Sequence, residues 1–245
     1  MASKTLAERA QTFRALHRPG HPLVLANVYD VLSAQAVAPL PTCHAVATAS
    51  YAVALAAGTS DDNLTLDQNL AAARLIGKVA AEHHKPLTVD LQDGYGDRLE
   101  EAVRRAIVDA GAVGVNLEDY DRSNDRFYSA DEAAERVKAA VAVGMAQGLR
   151  DFVVNARCDA LVHGGGGIDE VIERGQRYLA AGATTVLVEA FDGRLNVSLK
   201  WTGGLTVSEL ADMGVARISV GPAIALLAVA EYGRQAKYLL EQARS

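Results

Sequence analysis

Eight short apolar runs, each followed by a helical pattern or a helix-bearing loop, constrain this chain more than any other feature. The runs are Leu23 to Val28, Ala45 to Ala49, Leu87 to Leu91, Val113 to Leu117, Phe152 to Asn155, Thr185 to Val188, Leu195 to Leu199 and Ala216 to Val220. The intervening stretches carry apolar residues at helical spacing, as in Leu99, Val103, Ile107 and Ala110. Such alternation predicts a parallel sheet. Eight units within the 245 residues fit a closed (β/α)₈ barrel of the TIM type as a single domain. The alternative is an open doubly wound sheet. Gly111, Gly182 and Gly214 each end a helix before a strand, and the strand's polar or glycine terminus follows at Glu118, Glu189 and Gly221. That echo marks a repeated unit.

Local punctuation agrees with the alternation. Residues 5–17 predict a surface helix closed by Pro19-Gly20-His21-Pro22. Asp30 is placed to cap the helix Val31 to Val37, and Thr65-Leu-Asp-Gln68, Ser129-Ala-Asp-Glu132 and Thr206-Val-Ser-Glu209 are capping-box patterns. Pro222 opens a last helix that runs to about Gln242. Ala and Val dominate the apolar half of the sequence, which suits close helix–sheet contacts. A net charge of −6 without a basic run argues against nucleic acid. No apolar run approaches the roughly 20 residues of a membrane span. Met1 to Arg9 lacks the apolar core of a signal peptide. A cytoplasmic protein with free thiols at Cys43 and Cys158 is the expectation.

The C-terminal strand ends of such a barrel share one mouth. The chain puts there Ser50 and Tyr51, Asp90 with Gln92, Glu118, Arg157 and Glu189, with Asp61 in the loop after the second strand. In the stretch Thr88 to Gly96, strand alternation places Asp90 and Gln92 on one face, Leu91 and Asp93 on the other. Acids gathered in one mouth repel unless a cation lies between them, and oxygen-only donors suit Mg²⁺ or Mn²⁺. Arg157 supplies a fixed cation for a carboxylate or a developing oxyanion. Each residue also has a structural reading. Asp61 or Asp62 caps a helix, Asp93 bonds nearby backbone N–H groups with Gly94 and Gly96 at positive φ, Glu118 pairs with Arg157, and Asp159 makes a turn. His163 and Gly164 to Gly167 read as a loop, since no Lys-Ser/Thr follows as a phosphate-binding loop requires.

Val89-Asp90-Leu91-Gln92-Asp93-Gly94-Tyr95-Gly96, Asn116-Leu117-Glu118-Asp119 and Asn155-Ala156-Arg157-Cys158-Asp159-Ala160 together resemble the isocitrate lyase/phosphoenolpyruvate mutase superfamily. The resemblance runs from Ala26-Asn27-Val28-Tyr29-Asp30 through Ser219-Val220-Gly221. It implies an α/β barrel that forms a homo-oligomer, a dimer or tetramer, with a helix exchanged between subunits. It also implies Mg²⁺-dependent making or breaking of a C–C or P–C bond beside a 2-oxo acid, through a metal-bound enolate. Asp90 would be the principal metal ligand, with Asp61 and Glu118 on metal-bound waters and Gln92 in the same set. Arg157 would bind the substrate's carboxylate or enolate oxygen, Ser50 and Tyr51 would offer backbone N–H groups to it, and Glu189 falls where lyase members keep a carboxylate.

Two departures matter. Gln92 stands where members usually carry a second acid, and an uncharged amide oxygen binds Mg²⁺ more weakly. The loop after the fourth strand, Tyr120-Asp-Arg-Ser-Asn-Asp-Arg126, lacks the cysteine that serves lyase members as general acid and the lysine of mutase members. Isocitrate and methylisocitrate are therefore not the expected substrates. That loop is expected to act as a lid, with Tyr120, Asp121, Arg122 and Asn124 toward the substrate, a small 2-oxo or hydroxy carboxylate. The rival from another class is a barrel that binds a small carboxylate or a partner without turnover. A Schiff-base lysine enzyme has only Lys200 to offer.

Overall fold

The computed structural model describes residues 4–160, 166–187, 194–199 and 203–242. The first helix, α1 (Leu6–Ala15), is closed by a Thr5/Glu8 capping box and buries Ala10 and Phe13. The strand that follows is interrupted at Ala26, so β1 has two pieces, Leu23–Leu25 and Asn27–Val28. Next come α2 (Val31–Val37), β2 (Val46–Thr48), α3 (Ser50–Ala56), α4 (Leu66–Glu82), β3 (Leu87–Asp90) and α5 (Leu99–Ala110). The second half holds β4 (Ala112–Glu118), α6 (Ala130–Ala146), β5 (Val153–Arg157), α7 (Ile168–Ala180), β6 (Thr185–Leu187), β7 (Asn196–Ser198), α8 (Val207–Asp212), β8 (Arg217–Ser219) and α9 (Ala223–Gln242).

The strand ladders are parallel throughout the barrel. The second piece of β1 pairs with β2, and the ladder continues through β3, β4 and β5 to β6. The first piece of β1 pairs with β8, and β8 pairs with β7. A parallel bridge between Val186 and Leu195 joins β6 to β7. The split first strand and this bridge connect the two ladders into a ring of eight in sequence order, the arrangement of a (β/α)₈ barrel.

The sequence accounts for these elements locally. α5 turns Leu99, Ala102, Val103, Ala106, Ile107 and Ala110 inward at helical spacing. Each leucine or valine so buried contributes roughly 1.5–3 kcal/mol. The boxes at Thr65/Gln68, Ser129/Glu132 and Thr206/Glu209 all form, and Asp30 caps α2 through Ser33. The three helix-ending glycines take left-handed φ values of 71°, 108° and 85° at Gly111, Gly182 and Gly214.

Two expectations change. β3 stops at Asp90, and Gln92 enters the left-handed region at φ 54°, closed by a 2.8 Å bond from the Gly94 N–H to the Leu91 carbonyl. Strand alternation therefore does not set the direction of Gln92; a turn does. The predicted loop 120–127 is instead a small antiparallel hairpin, Tyr120–Asp121 against Arg126–Phe127. Its Tyr120 and Phe127 rings meet edge to face at 5.1 Å. Glu189, His163 and Lys200 lie outside the described residues. Among the described residues no helix is long and apolar enough to cross a membrane.

Candidate active site

Asp90 ends β3 with its side chain pinned by backbone. One carboxylate oxygen accepts the Ser50 N–H at 3.0 Å and the other the Gln92 N–H at 3.3 Å. The Asp90 backbone is held as firmly. Its N–H donates to Thr48 Oγ1 at 2.9 Å, and its carbonyl accepts from Asn69 Nδ2 at 2.9 Å. These contacts fix the carboxylate on rigid elements.

A polar chain leads from Asp90 across the mouth. Gln92 turns its amide nitrogen to Asp61, donating to the carbonyl at 2.7 Å and to Oδ1 at 3.0 Å. Asp61 opens a short 3₁₀ turn, Asp61–Asn63, and its Oδ2 lies 3.1 Å from Arg122 Nη2. The same Nη2 donates to Glu118 Oε2 at 2.8 Å, and Arg122 Nη1 donates to Asp62 Oδ1 at 2.7 Å. Glu118, at the end of β4, gives its other oxygen to Arg157 Nη1 at 2.7 Å. Arg157 Nε then donates to Asp159 Oδ1 at 2.6 Å. Two carboxylates thus fix the plane of the Arg157 guanidinium, whose side chain remains 32% exposed and open to a ligand.

Burial pushes the Glu118 carboxyl up to about 7, against the pull of Arg157 and Arg122 and with the push of Asp90 and Asp159. Burial also lifts the Cys158 thiol to about 12, with the Asp119 charge adding to it. Cys43 and Cys158 are both buried, so the thiols do not stand in for the absent loop cysteine.

Of the expected site residues, Asp90, Gln92, Asp61, Glu118, Arg157 and Ser50 come together. Tyr51 sits in the first turn of α3 with 44% of its surface exposed and hydrogen-bonds none of these side chains. In the hairpin only Arg122 reaches the acids. Asn124 and Asp121 hold each other across the turn, with Asn124 Nδ2 2.8 Å from Asp121 Oδ2, and the Tyr120 hydroxyl donates to Asp125.

Sequence reading missed two supports. Asn69 is fully buried within the apolar stripe of α4 and bridges the Asp90 carbonyl and the Tyr95 hydroxyl. Arg217 is buried in β8 and donates to Asn116 Oδ1 at 2.9 Å. Burial pulls its guanidinium down to about 9, while Asp90 draws it up. In both cases the available signal was a polar residue at a position whose period demands an apolar one.

The donors around Asp90 are oxygens only: its carboxylate, the Gln92 amide oxygen and the carboxylates of Asp61 and Glu118. Gln92 uses its nitrogen toward Asp61, so its Oε1 is unclaimed among the described residues. This set fits Mg²⁺, which needs only one or two carboxylates and completes its shell with water. No group of three or more acids, histidines or cysteines among the described residues is arranged to enclose an ion. Arg122 lies against both Asp61 and Glu118.

A ring of parallel strands with oxygen donors and a fixed arginine at its C-terminal ends defines a (β/α)₈-barrel enzyme. The sequence matches the phosphoenolpyruvate phosphomutase family over residues 13–240, and the chain belongs to that family, within the isocitrate lyase/phosphoenolpyruvate mutase superfamily. A 2-methylisocitrate lyase of Escherichia coli is 36% identical over 135 residues, covering 51% of this chain and 43% of the lyase. A crystal structure from Burkholderia cenocepacia J2315, assigned as a phosphonomutase, superposes with a TM-score of 0.84 at 32% identity, covering 96% of this chain and 99% of that one. An oxaloacetate acetylhydrolase in complex with its product oxalate superposes with a TM-score of 0.80 at 26% identity, covering 94% and 85%.

Proposed function

We propose that this enzyme makes or breaks a C–C or P–C bond beside a 2-oxo acid, with Mg²⁺ or Mn²⁺ as cofactor and a small 2-oxo or hydroxy carboxylate as substrate. The observation that carries the reading is Arg157, locked by Glu118 and Asp159 yet partly exposed at the strand ends near the pinned carboxylate of Asp90. Asp90 and Gln92 Oε1 would hold the metal, with Asp61 and Glu118 on its waters. Bound there, an ion would supply positive charge toward a 2-oxo oxygen. Arg157 binds the substrate carboxylate and meets the charge that develops as the bond breaks, and its fixed plane removes the cost of reorienting it. Glu118 orients Arg157. The Ser50 N–H serves the reaction by holding Asp90 in place. Glu189, where lyase members keep a carboxylate, and the Tyr51 hydroxyl are the groups proposed for proton transfer. With both thiols buried and no cysteine in the hairpin, the proton donor differs from that of the methylisocitrate lyases, and so does the substrate.

Calorimetry with oxalate, which mimics the enolate of pyruvate, tests this reading. Oxalate is expected to bind only with Mg²⁺ present, and Asp90→Ala is expected to abolish that binding. Absence of oxalate binding under either condition sinks the reading and leaves a barrel that binds without turnover.

The same reading includes a homo-oligomer in the cytoplasm. Of the 20 residues of α9 only Ala225 is buried, against Ala49 and Ala52. Leu226, Leu227, Val229, Tyr232, Leu239 and Leu240 are exposed. An apolar face of this extent is covered by a second copy, with α9 exchanged between subunits. Light scattering should return a multiple of the 25.8 kDa chain mass; a monomer at micromolar concentration counts against it.

A further inference from the structure

Arg122 occupies an unusual position for a residue on an exposed hairpin. Its guanidinium touches three carboxylates from two other loops and strands: Asp61 at 3.1 Å, Asp62 at 2.7 Å and Glu118 at 2.8 Å. Only 19% of its side chain is exposed, against 49% for Arg126 on the same hairpin. Two of those three acids, Asp61 and Glu118, are the ones that would face a divalent cation, and the position that would complete the set holds the neutral Gln92. With Gln92 neutral and with Arg122 and Arg157 both paired to it, the cluster attracts a further cation less strongly than a bare set of acids would.

We infer that Arg122 is a built-in counter-cation that competes with the divalent metal for Asp61 and Glu118, so that metal entry displaces Arg122 and unfastens the hairpin 120–127. The inference rests on the metal reading given above and adds to it a charge exchange.

The surroundings permit the exchange. When Arg122 withdraws, neither shared acid is left bare. Glu118 keeps Arg157 at 2.7 Å and Asp61 keeps the Gln92 amide at 3.0 Å. The hairpin also holds itself together without the barrel. Asp121 accepts from the Asn124 N–H and amide, Tyr120 bonds Asp125, and Tyr120 packs on Phe127. It remains tied at its far end, where the Tyr128 N–H donates to the Asp119 carbonyl at 3.0 Å and Arg174 lies over the Phe127 ring at 5.6 Å. These contacts make that end the hinge and Arg122 the latch. A bound ion and a docked Arg122 would share Asp61 and Glu118, and two cations drawn to the same acids repel each other.

The test measures Mg²⁺ affinity, without substrate, on the full chain and on Arg122→Met, with Asp90→Ala as the control for the metal site. Removing the competing charge should tighten Mg²⁺ binding by about tenfold or more. In the unaltered protein, Mg²⁺ should raise amide hydrogen exchange within 120–127, and this measurement holds even if Arg122→Met folds poorly. Equal or weaker Mg²⁺ binding by Arg122→Met overturns the inference while leaving the metal site intact, as does hairpin exchange that Mg²⁺ leaves unchanged or slows. Failure of both proteins to bind Mg²⁺ overturns the inference together with the metal reading.

Discussion

Two pairs of acids sit at the ends of the same two strands and have opposite surroundings. Asp93 follows Asp90 by one turn, and Asp119 adjoins Glu118. Asp93 accepts the N–H groups of Tyr95 and Gly96 at 3.0 and 3.2 Å and the Tyr128 hydroxyl at 3.1 Å. Asp119 accepts the Asp159 N–H at 2.8 Å and the Tyr178 hydroxyl at 2.7 Å, with Arg174 at 3.4 Å. These outer acids tie β3 and β4 to the hairpin, α6 and α7, and their partners sit on the barrel's own backbone and helices. Of the inner acids, Asp90 is held by the Ser50 and Gln92 N–H groups, whereas Glu118 rests on two arginines, Arg157 and the hairpin's Arg122. A buried carboxylate surrounded by fixed donors stabilises the fold. One whose partner can leave is available for chemistry.

The comparison can be broken at its outer side first. Asp119→Ala leaves the buried Tyr178 hydroxyl and the Asp159 N–H without their acceptor, while Arg174 keeps Glu170 and the Tyr128 carbonyl, and should cost roughly 2–4 kcal/mol of stability. Urea unfolding reads this directly, and oxalate affinity measured well below the transition should stay within a few fold of the parent. A loss under about 1 kcal/mol, or a collapse of affinity in a folded variant, would erase the distinction between the two pairs.

A smaller change sharpens the inner side. Gln92→Asp removes two hydrogen bonds to Asp61 and sets two carboxylates face to face, so the metal-free protein should lose about 1–2 kcal/mol. Mg²⁺ should restore that loss and bind more tightly than in the parent. Thermal unfolding with and without Mg²⁺ separates the cases. A loss that Mg²⁺ leaves untouched means that position 92 faces no cation site.

How legible each part was in the sequence follows from the range of the forces involved. The capping boxes at Thr65, Ser129 and Thr206 were readable because the partners lie three residues apart. Asp93 was readable as a turn residue for the same reason. The direction of Gln92 was not, because strand alternation fails once the backbone turns left-handed at φ 54°. The hairpin of 120–127 was hidden in a polar stretch whose apolar members, Tyr120 and Phe127, pair only across the turn.

The sequence by itself determined the eight strand runs and their alternation with helices, since periodicity and capping act over a few residues. The superfamily resemblance likewise resided in short motifs. Only the tertiary structure decided that Arg122 is held between Asp61, Asp62 and Glu118, that Asn69 holds the Asp90 carbonyl and buried Arg217 donates to Asn116, and that α9 leaves its apolar face without cover from its own barrel. Those outcomes depend on side chains as many as 101 residues apart meeting in a low-dielectric mouth or failing to meet at a surface. Local sequence carries no record of that distance; ring closure of the barrel sets it.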